Sequence, residues 1–339
     1  MVESSVSMHI TTHLTAQDSI RPLTPHEQRV TERIFEQNVH FTPRDTVVIV
    51  TDPTMHEKEA ALWFETAKTL GLPVELYVLA GMTHSGEEPP QTIVDLADTN
   101  SIVIFQTVYS LTHTKAGKKA ISNGGRGISL PGAEYELLLR TLDIDYAPVR
   151  ELGEKLKEEL AAAPKLTITA QNGTHLTTQI RTTGIINDSG FFKPGELGNL
   201  PAGEVFFAPL LGTTNGTVVI DGSIADDVLD APITVTIQNG TAVAMTGGAA
   251  AQKLWEKLNA YGPAGRTVAE VGIGTNPAAK ITENLLEAEK AYGTVHIAFG
   301  NSSAIGGENE VPIHIDGLIA QPKVKTPTDL LLENHLFNL

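Results

Sequence analysis

Over residues 46–142 short apolar runs alternate with helical stretches. Thr46-Val-Val-Ile-Val50 reads as a buried strand, and residues 57–70 follow with Ala60, Trp63, Phe64, Ala67 and Leu70 at helical spacing. Gly71 stops that helix, and Val74-Glu-Leu-Tyr-Val-Leu79 is the next strand. Residues 93–97 read as helix, Ser101-Ile-Val-Ile-Phe105 as a third strand, Gly127-Ile-Ser-Leu130 as a short fourth, and residues 133–142 as another helix. Strands separated by helices imply a parallel sheet covered on both faces, so residues 1–150 are expected to form a doubly wound, Rossmann-like α/β domain.

Residues 148–163 are charged and helical, and beyond them the pattern changes. Leu166-Thr-Ile-Thr-Ala170 and residues 176–180 flank Asn172-Gly173 as a hairpin with a type I′ turn. Asn215-Gly216 and Asn239-Gly240 are read as further hairpin turns beside the β-branched runs at 217–220, 233–237 and 242–245. One helix, over residues 249–261, interrupts them. Residues 151–339 are therefore expected to form an α+β domain, and the chemistry falls there.

Composition narrows the partners. The chain has 339 residues, 41% hydrophobic and 19% charged, a globular mixture long enough for two domains. Its formal net charge of −16 repels phosphate backbones, so no nucleic-acid partner is expected. With no cysteine, disulfides, thiolate metal sites and a cysteine nucleophile are excluded. No apolar stretch approaches a membrane span, and the polar N-terminus lacks a secretory pattern, so no membrane association and a cytoplasmic location are expected.

In Pro312-Ile-His-Ile-Asp-Gly-Leu-Ile319, strand alternation puts His314 and Asp316 on one face. Alone, that pair fits either a metal site or a hydrogen-bonded pair on an exposed strand. Three further runs each embed one ionisable group among apolar residues: Glu204 in 200–207, Glu270 in 269–277 and His296 in 293–299. A lone buried charge is costly unless it is paired or coordinated, and a shared metal centre would satisfy all of them. Gly272-Ile-Gly274 and Gly306-Gly307 fit neither a Walker nor a dinucleotide motif, and close backbone packing near the site is their expected role. Neither a Gly-x-Ser-x-Gly elbow nor a His-Glu-x-x-His helix is present.

These residues resemble the aminopeptidase T and aminopeptidase S family of metallopeptidases. The resemblance is carried by residues 199–206, 215–221, 270–277 and 284–296 and by His314-Ile-Asp316, with His84-Ser-Gly-Glu-Glu-Pro-Pro90 and Tyr109-Ser-Leu-Thr-His-Thr114 adding to it. It implies a homodimeric hydrolase with two divalent ions (zinc, cobalt or manganese) cleaving N-terminal residues from small peptides or amino-acid amides. It places metal ligands at Glu204, Glu270, His296, His314 and Asp316, with Glu289 as a further acidic ligand. Glu289, Ser303 and His113 are the candidates for acid, base or transition-state support, Ser303 standing where longer members carry a tyrosine.

In that expected mechanism the ions bridge through Glu270, activate a water and polarise the scissile carbonyl. Two rivals remain. The 2,5-dihydroxypyridine dioxygenases are similar to this family and use mononuclear iron(II), though they carry histidine where this chain has Glu270. A relative that binds metal or ligand without turnover is the other.

Overall fold

The computed structural model describes residues 8–224 and 227–339. It divides into two compact units, residues 1–146 with 190–202 and residues 147–189 with 203–339. The division expected from sequence, at 150/151, thus lies close to the first boundary but lacks the return of 190–202 to the first unit.

The first unit begins with β1 (His9–Thr15) and α1 (Pro25–Arg33). Thr24 caps α1, accepting from Glu27 N–H while the Glu27 carboxylate reaches back to Thr24 N–H, a reciprocal capping box. Then come β2 (Val47–Thr51), α2 (Ala61–Thr69), β3 (Val74–Ala80), α3 (Gln91–Thr99), β4 (Ile102–Gln106), α4 (Lys115–Ser122), β5 (Arg126–Ser129) and α5 (Tyr135–Leu142). The strands β2 to β5 pair in parallel, in the order β3-β2-β4-β5, and β1 adds an antiparallel edge beside β3. Every residue of β2 and β4 is buried, as a sheet covered on both faces requires. The doubly wound α/β reading of this half holds; β1 and α1 are additions that precede the first strand read from the sequence.

The second unit carries α6 (Tyr146–Ala162), then β6 (Lys165–Ala170), β7 (His175–Gln179) and β8 (Ile186–Asp188). The chain next returns to the first unit as β9 (Leu197–Asn199), which pairs in parallel with β5. It continues through β10 (Glu204–Phe207), β11 (Asn215–Ile220), β12 (Ile233–Gln238), β13 (Thr241–Thr246), α7 (Ala249–Asn259), α8 (Gly262–Gly265) and β14 (Val268–Gly274). Last are α9 (Leu285–Ala288), β15 (Val295–Gly300), β16 (His314–Ile319), β17 (Pro322–Lys325), β18 (Leu330–Glu333) and β19 (Leu336–Phe337).

Two antiparallel sheets result among the described residues, one ordered β16-β15-β14-β10-β8 and the other β13-β12-β11-β7-β6-β17-β18-β19. Their apolar faces share one core, in which Val205, Phe207, Val271, Ile273, Ile297 and Phe299 of the smaller sheet join Leu166, Ile168, Val218 and Val235 of the larger. The α+β reading of this half is correct. Two of its turns are not as expected. Asn239 and Gly240 both have positive φ, 49° and 76°, as a type I′ turn demands, whereas at 172–173 only Gly173 does. Asn215-Gly216 lies inside β11, where Gly216 pairs with both Leu176 and Ile237.

Candidate metal centre

The smaller sheet of the second unit has an apolar face committed to the core, so its opposite face is free to carry chemistry. Register puts the ionisable residues on that face. Glu204 of β10 lies opposite Gly274 of β14, His296 of β15 opposite Gly272, and Glu270 and Asp316 both opposite Ala298. Directly paired residues project to the same side of a sheet, so four strands deliver Glu204, Glu270, His296, His314 and Asp316 to one place.

A β-bulge makes this possible. Val268 pairs with Phe299 and Glu270 with Ala298, leaving Ala269 as an extra residue. In an unbroken strand Val268 and Glu270 would share a face. The bulge lets Val268 enter the core while Glu270 turns to the opposite side. Small residues clear the space around it: a Cβ added at Gly272 would overlap the His296 ring, and one at Gly274 would overlap the backbone at Ala291. Gly272 and Gly274 are therefore strand residues beside the site and not part of a phosphate loop, while Gly306 and Gly307 lie in the connection between β15 and β16.

The ligand atoms of Glu204, Glu270 and His296 lie within 4.8 Å of one another, and those of Glu289, His296 and Asp316 form a second such group. His296 Nε2 is 3.2 Å from Glu270 Oε1 and 3.4 Å from Glu204 Oε2. His314 Nε2 is 3.4 Å from Asp316 Oδ2 and 3.6 Å from Glu270 Oε2. His314 Nδ1 sits 2.7 Å from the Asn301 carbonyl, an acceptor only, so Nδ1 carries the proton and donates it there. That leaves Nε2 facing two carboxylates, the position from which it can ligate a metal ion once its proton is lost. Glu204, Glu270, His296 and Asp316 are buried, and the His314 side chain, 35% exposed, opens the site to solvent.

One residue of the cluster was not foreseen. Lys290 is fully buried, and its ammonium donates to Glu204 Oε1 at 2.9 Å and to Glu289 Oε1. Its backbone is held by Lys290 N–H to the Glu287 carbonyl and by Asn276 N–H to its own carbonyl. In the sequence, Glu287-Ala-Glu-Lys290 looks like the charged end of a surface helix. The weak contrary signal is the flanking pair Ala288 and Ala291, both of which are buried.

The electrostatics report a shortage of positive charge. Burial pushes the Glu204 carboxyl up to about 8, with Glu289 and Glu270 adding to it against Lys290 and His296. Burial also raises Glu289. Burial lowers both imidazoles, yet hydrogen bonding to Glu270 and the charge of Glu204 carry His296 up to about 9, and Asp316 and Glu270 carry His314 up to about 10. Burial would likewise lower Lys290, but Glu204 and Glu289 hold it above its ordinary range. Asp316, raised by burial, is brought down to about 2 by His314. Within the cluster, Glu204 Oε2 and His296 Nδ1 are buried without hydrogen-bond partners. Mixed imidazole and carboxylate donors converging on one acidic, mostly buried point fit a divalent transition-metal ion.

Two further candidates remain to be placed. Ser303 is exposed, and its hydroxyl donates to the Asn301 side chain at 2.8 Å, one residue removed from the His314 contact. His113 belongs to the first unit, in the segment between β4 and α4. Among the described residues no helix is long and apolar enough to cross a membrane.

With this geometry in hand, comparison with known proteins is informative. No curated protein sequence matches the chain. Among solved structures, the 2,5-dihydroxypyridine dioxygenase of Pseudomonas putida KT2440 is similar with a TM-score of 0.75 at 17% identity, over 93% of this chain and 98% of that one. AmpT from Thermus thermophilus is similar with a TM-score of 0.68 at 14% identity, over 93% and 99% respectively. At such identities the two structures establish a shared fold, and one fold can host different chemistries. A profile of the 2,5-dihydroxypyridine 5,6-dioxygenase family, in contrast, matches residues 29–326.

That match overturns the expected metallo-aminopeptidase, because it assigns the chain to a family of oxidoreductases. The ligand pattern misled for a physical reason: carboxylates and imidazoles on this scaffold suit a hydrolytic ion and an oxygen-activating one alike. The chain belongs to the 2,5-dihydroxypyridine 5,6-dioxygenase family.

Proposed function

We propose that this protein is a metal-dependent ring-cleaving dioxygenase, with a dihydroxylated pyridine or closely related aromatic as substrate and iron(II) as its metal. The supporting observation is His314, whose Nδ1 proton is committed to the Asn301 carbonyl while Nε2 faces Asp316 and Glu270, with His296 on the far side of the Glu270 carboxylate. Two imidazoles with one or two carboxylates, open to solvent on one side, are the donor set of non-haem iron oxygenases. In this donor set His296 supplies the second nitrogen beside His314.

His296, His314, Asp316 and Glu270 would hold the ion. When bound, iron(II) supplies activation of dioxygen next to an electron-rich ring. The chain's own residues set the stage for that chemistry. Asn301 fixes the His314 tautomer, Gly272 clears room for the His296 ring, and the bulge at Ala269 aims Glu270. With the His314 side opening the pocket, the substrate hydroxyls would approach there.

Anaerobic loading of the purified protein with iron(II), followed by 2,5-dihydroxypyridine and air, tests this. The expected result is oxygen consumption matched by loss of the aromatic absorbance, both abolished in His314→Ala. A folded, iron-loaded protein that consumes no oxygen with this compound or its ring analogues would overturn the proposal.

A further inference from the structure

Acidic groups outnumber the metal charge that a single ion could supply. Glu204, Glu270, Glu289 and Asp316 cluster about His296, with His314 beside Glu270 and Asp316, and four carboxylates could be balanced by two divalent ions. Lys290 changes that balance. Its ammonium stands between Glu204 Oε1 and Glu289 Oε1, the place from which a second cation would bridge those two carboxylates. Asp188, paired with Glu204 across β8 and β10, adds a third negative charge near the same ammonium.

This lysine is not a flexible surface side chain that swings aside for an ion. Its side chain is 2% exposed, and its backbone is tied at both N–H and carbonyl to Glu287 and Asn276. Displacing the ammonium would strip a buried charge of its carboxylate partners, which is strongly disfavoured. Lys290 takes one oxygen each of Glu204 and Glu289, and the two carboxylates it does not hydrogen-bond, Glu270 and Asp316, have charges that match one divalent ion. The unpartnered Glu204 Oε2 lies 3.4 Å from His296 Nε2, so the lysine-bound pair borders the metal position.

We infer that Lys290 is a built-in cation that takes the place of a second metal ion, limiting the centre to one ion held by Glu270, His296, His314 and Asp316. This rests on the metal-binding part of the proposed function and not on the reaction, so counting ions tests it independently of oxygen consumption.

The test is titration of metal-free protein with cobalt(II), followed by desalting and elemental analysis. Wild type is expected to retain one ion per chain, and Lys290→Met, which keeps the length and removes the charge, is expected to retain two. Two ions in wild type, or one in a Lys290→Met protein with unchanged circular dichroism, would overturn the inference. Should Lys290→Met fail to fold, Glu204→Gln decides the matter. It retains one ion with affinity within a few-fold of wild type if Glu204 serves only Lys290, and a fall of a hundredfold or more would show Glu204 to be a ligand and overturn the inference.

Discussion

Gly272 lies directly across from His296 in the β14–β15 pair, and the imidazole occupies the space that any side chain at position 272 would fill. A glycine in the middle of a strand weakens it, so its presence asks for a local reason, and here the reason is the ring beside it. Neighbouring Val271 and Ile273 point into the core on the opposite face, which confines the effect of a change to the site.

Gly272→Ala should therefore displace the His296 ring while leaving the core packed. Metal affinity is expected to fall by about 10–100-fold, the range found when groups that orient ligands are altered. Cobalt(II) titration with circular dichroism as a control checks it. Unchanged affinity would mean that His296 is not a ligand.

His314 offers a sharper contrast. Its ring is oriented by the Asn301 carbonyl and turned toward Asp316 and Glu270. His314→Ala should weaken metal binding by at least about a hundredfold, beyond the effect of merely orienting groups. It should also erase the rise in Tm that metal gives wild type, since a ligand stabilises only through binding the folded state. A metal-induced Tm shift that survived this substitution would remove His314 from the site.

Much of this was legible in the sequence, and the failures have identifiable causes. Period-two alternation placed His314 and Asp316 together, and single charges inside apolar runs pointed to Glu204, Glu270 and His296, because burial of a lone charge needs compensation. The bulge at Ala269 was invisible, since an extra residue leaves no compositional mark and simple alternation would put Val268 and Glu270 on one face. Lys290 was hidden by its neighbours Glu287 and Glu289, which made it look like solvated helix surface. In the first unit, the β-branched runs gave the parallel strands, but β9 was missed. It is only three residues long, Leu197–Asn199, and its Gly198 gives no strand signal. The choice between oxygenase and hydrolase was not in the ligand residues at all, for both chemistries use them.

The first unit permits a test unconnected with metal. Glu27 is buried, and it accepts from Arg21 at 2.5 Å, from Tyr135 at 2.8 Å and from Thr24 N–H at 2.6 Å. Burial alone would raise its carboxyl, but these donors, Arg21 foremost, bring it from 4.5 down to about 2. A lowered folded value means that stability is fully present above 4.5 and lost as pH falls through about 2. Glu27→Gln should cost about 2 kcal/mol in urea unfolding near neutral pH, and the gap from wild type should narrow from pH 4.5 downward. A gap as wide at pH 3 as at pH 6 would contradict the assigned charge state.

The central claim is that His296, His314, Asp316 and Glu270 together hold an iron ion with positions left open. Nitric oxide, a surrogate for dioxygen, reports on that directly when it is added to the anaerobic iron(II) protein and followed by electron paramagnetic resonance. The expected result is the nitrosyl signal of a high-spin ferrous centre in wild type and its loss in both His314→Ala and Asp316→Ala. A wild-type protein that binds iron but gives no such signal, or gives it undiminished in both variants, would contradict the claim.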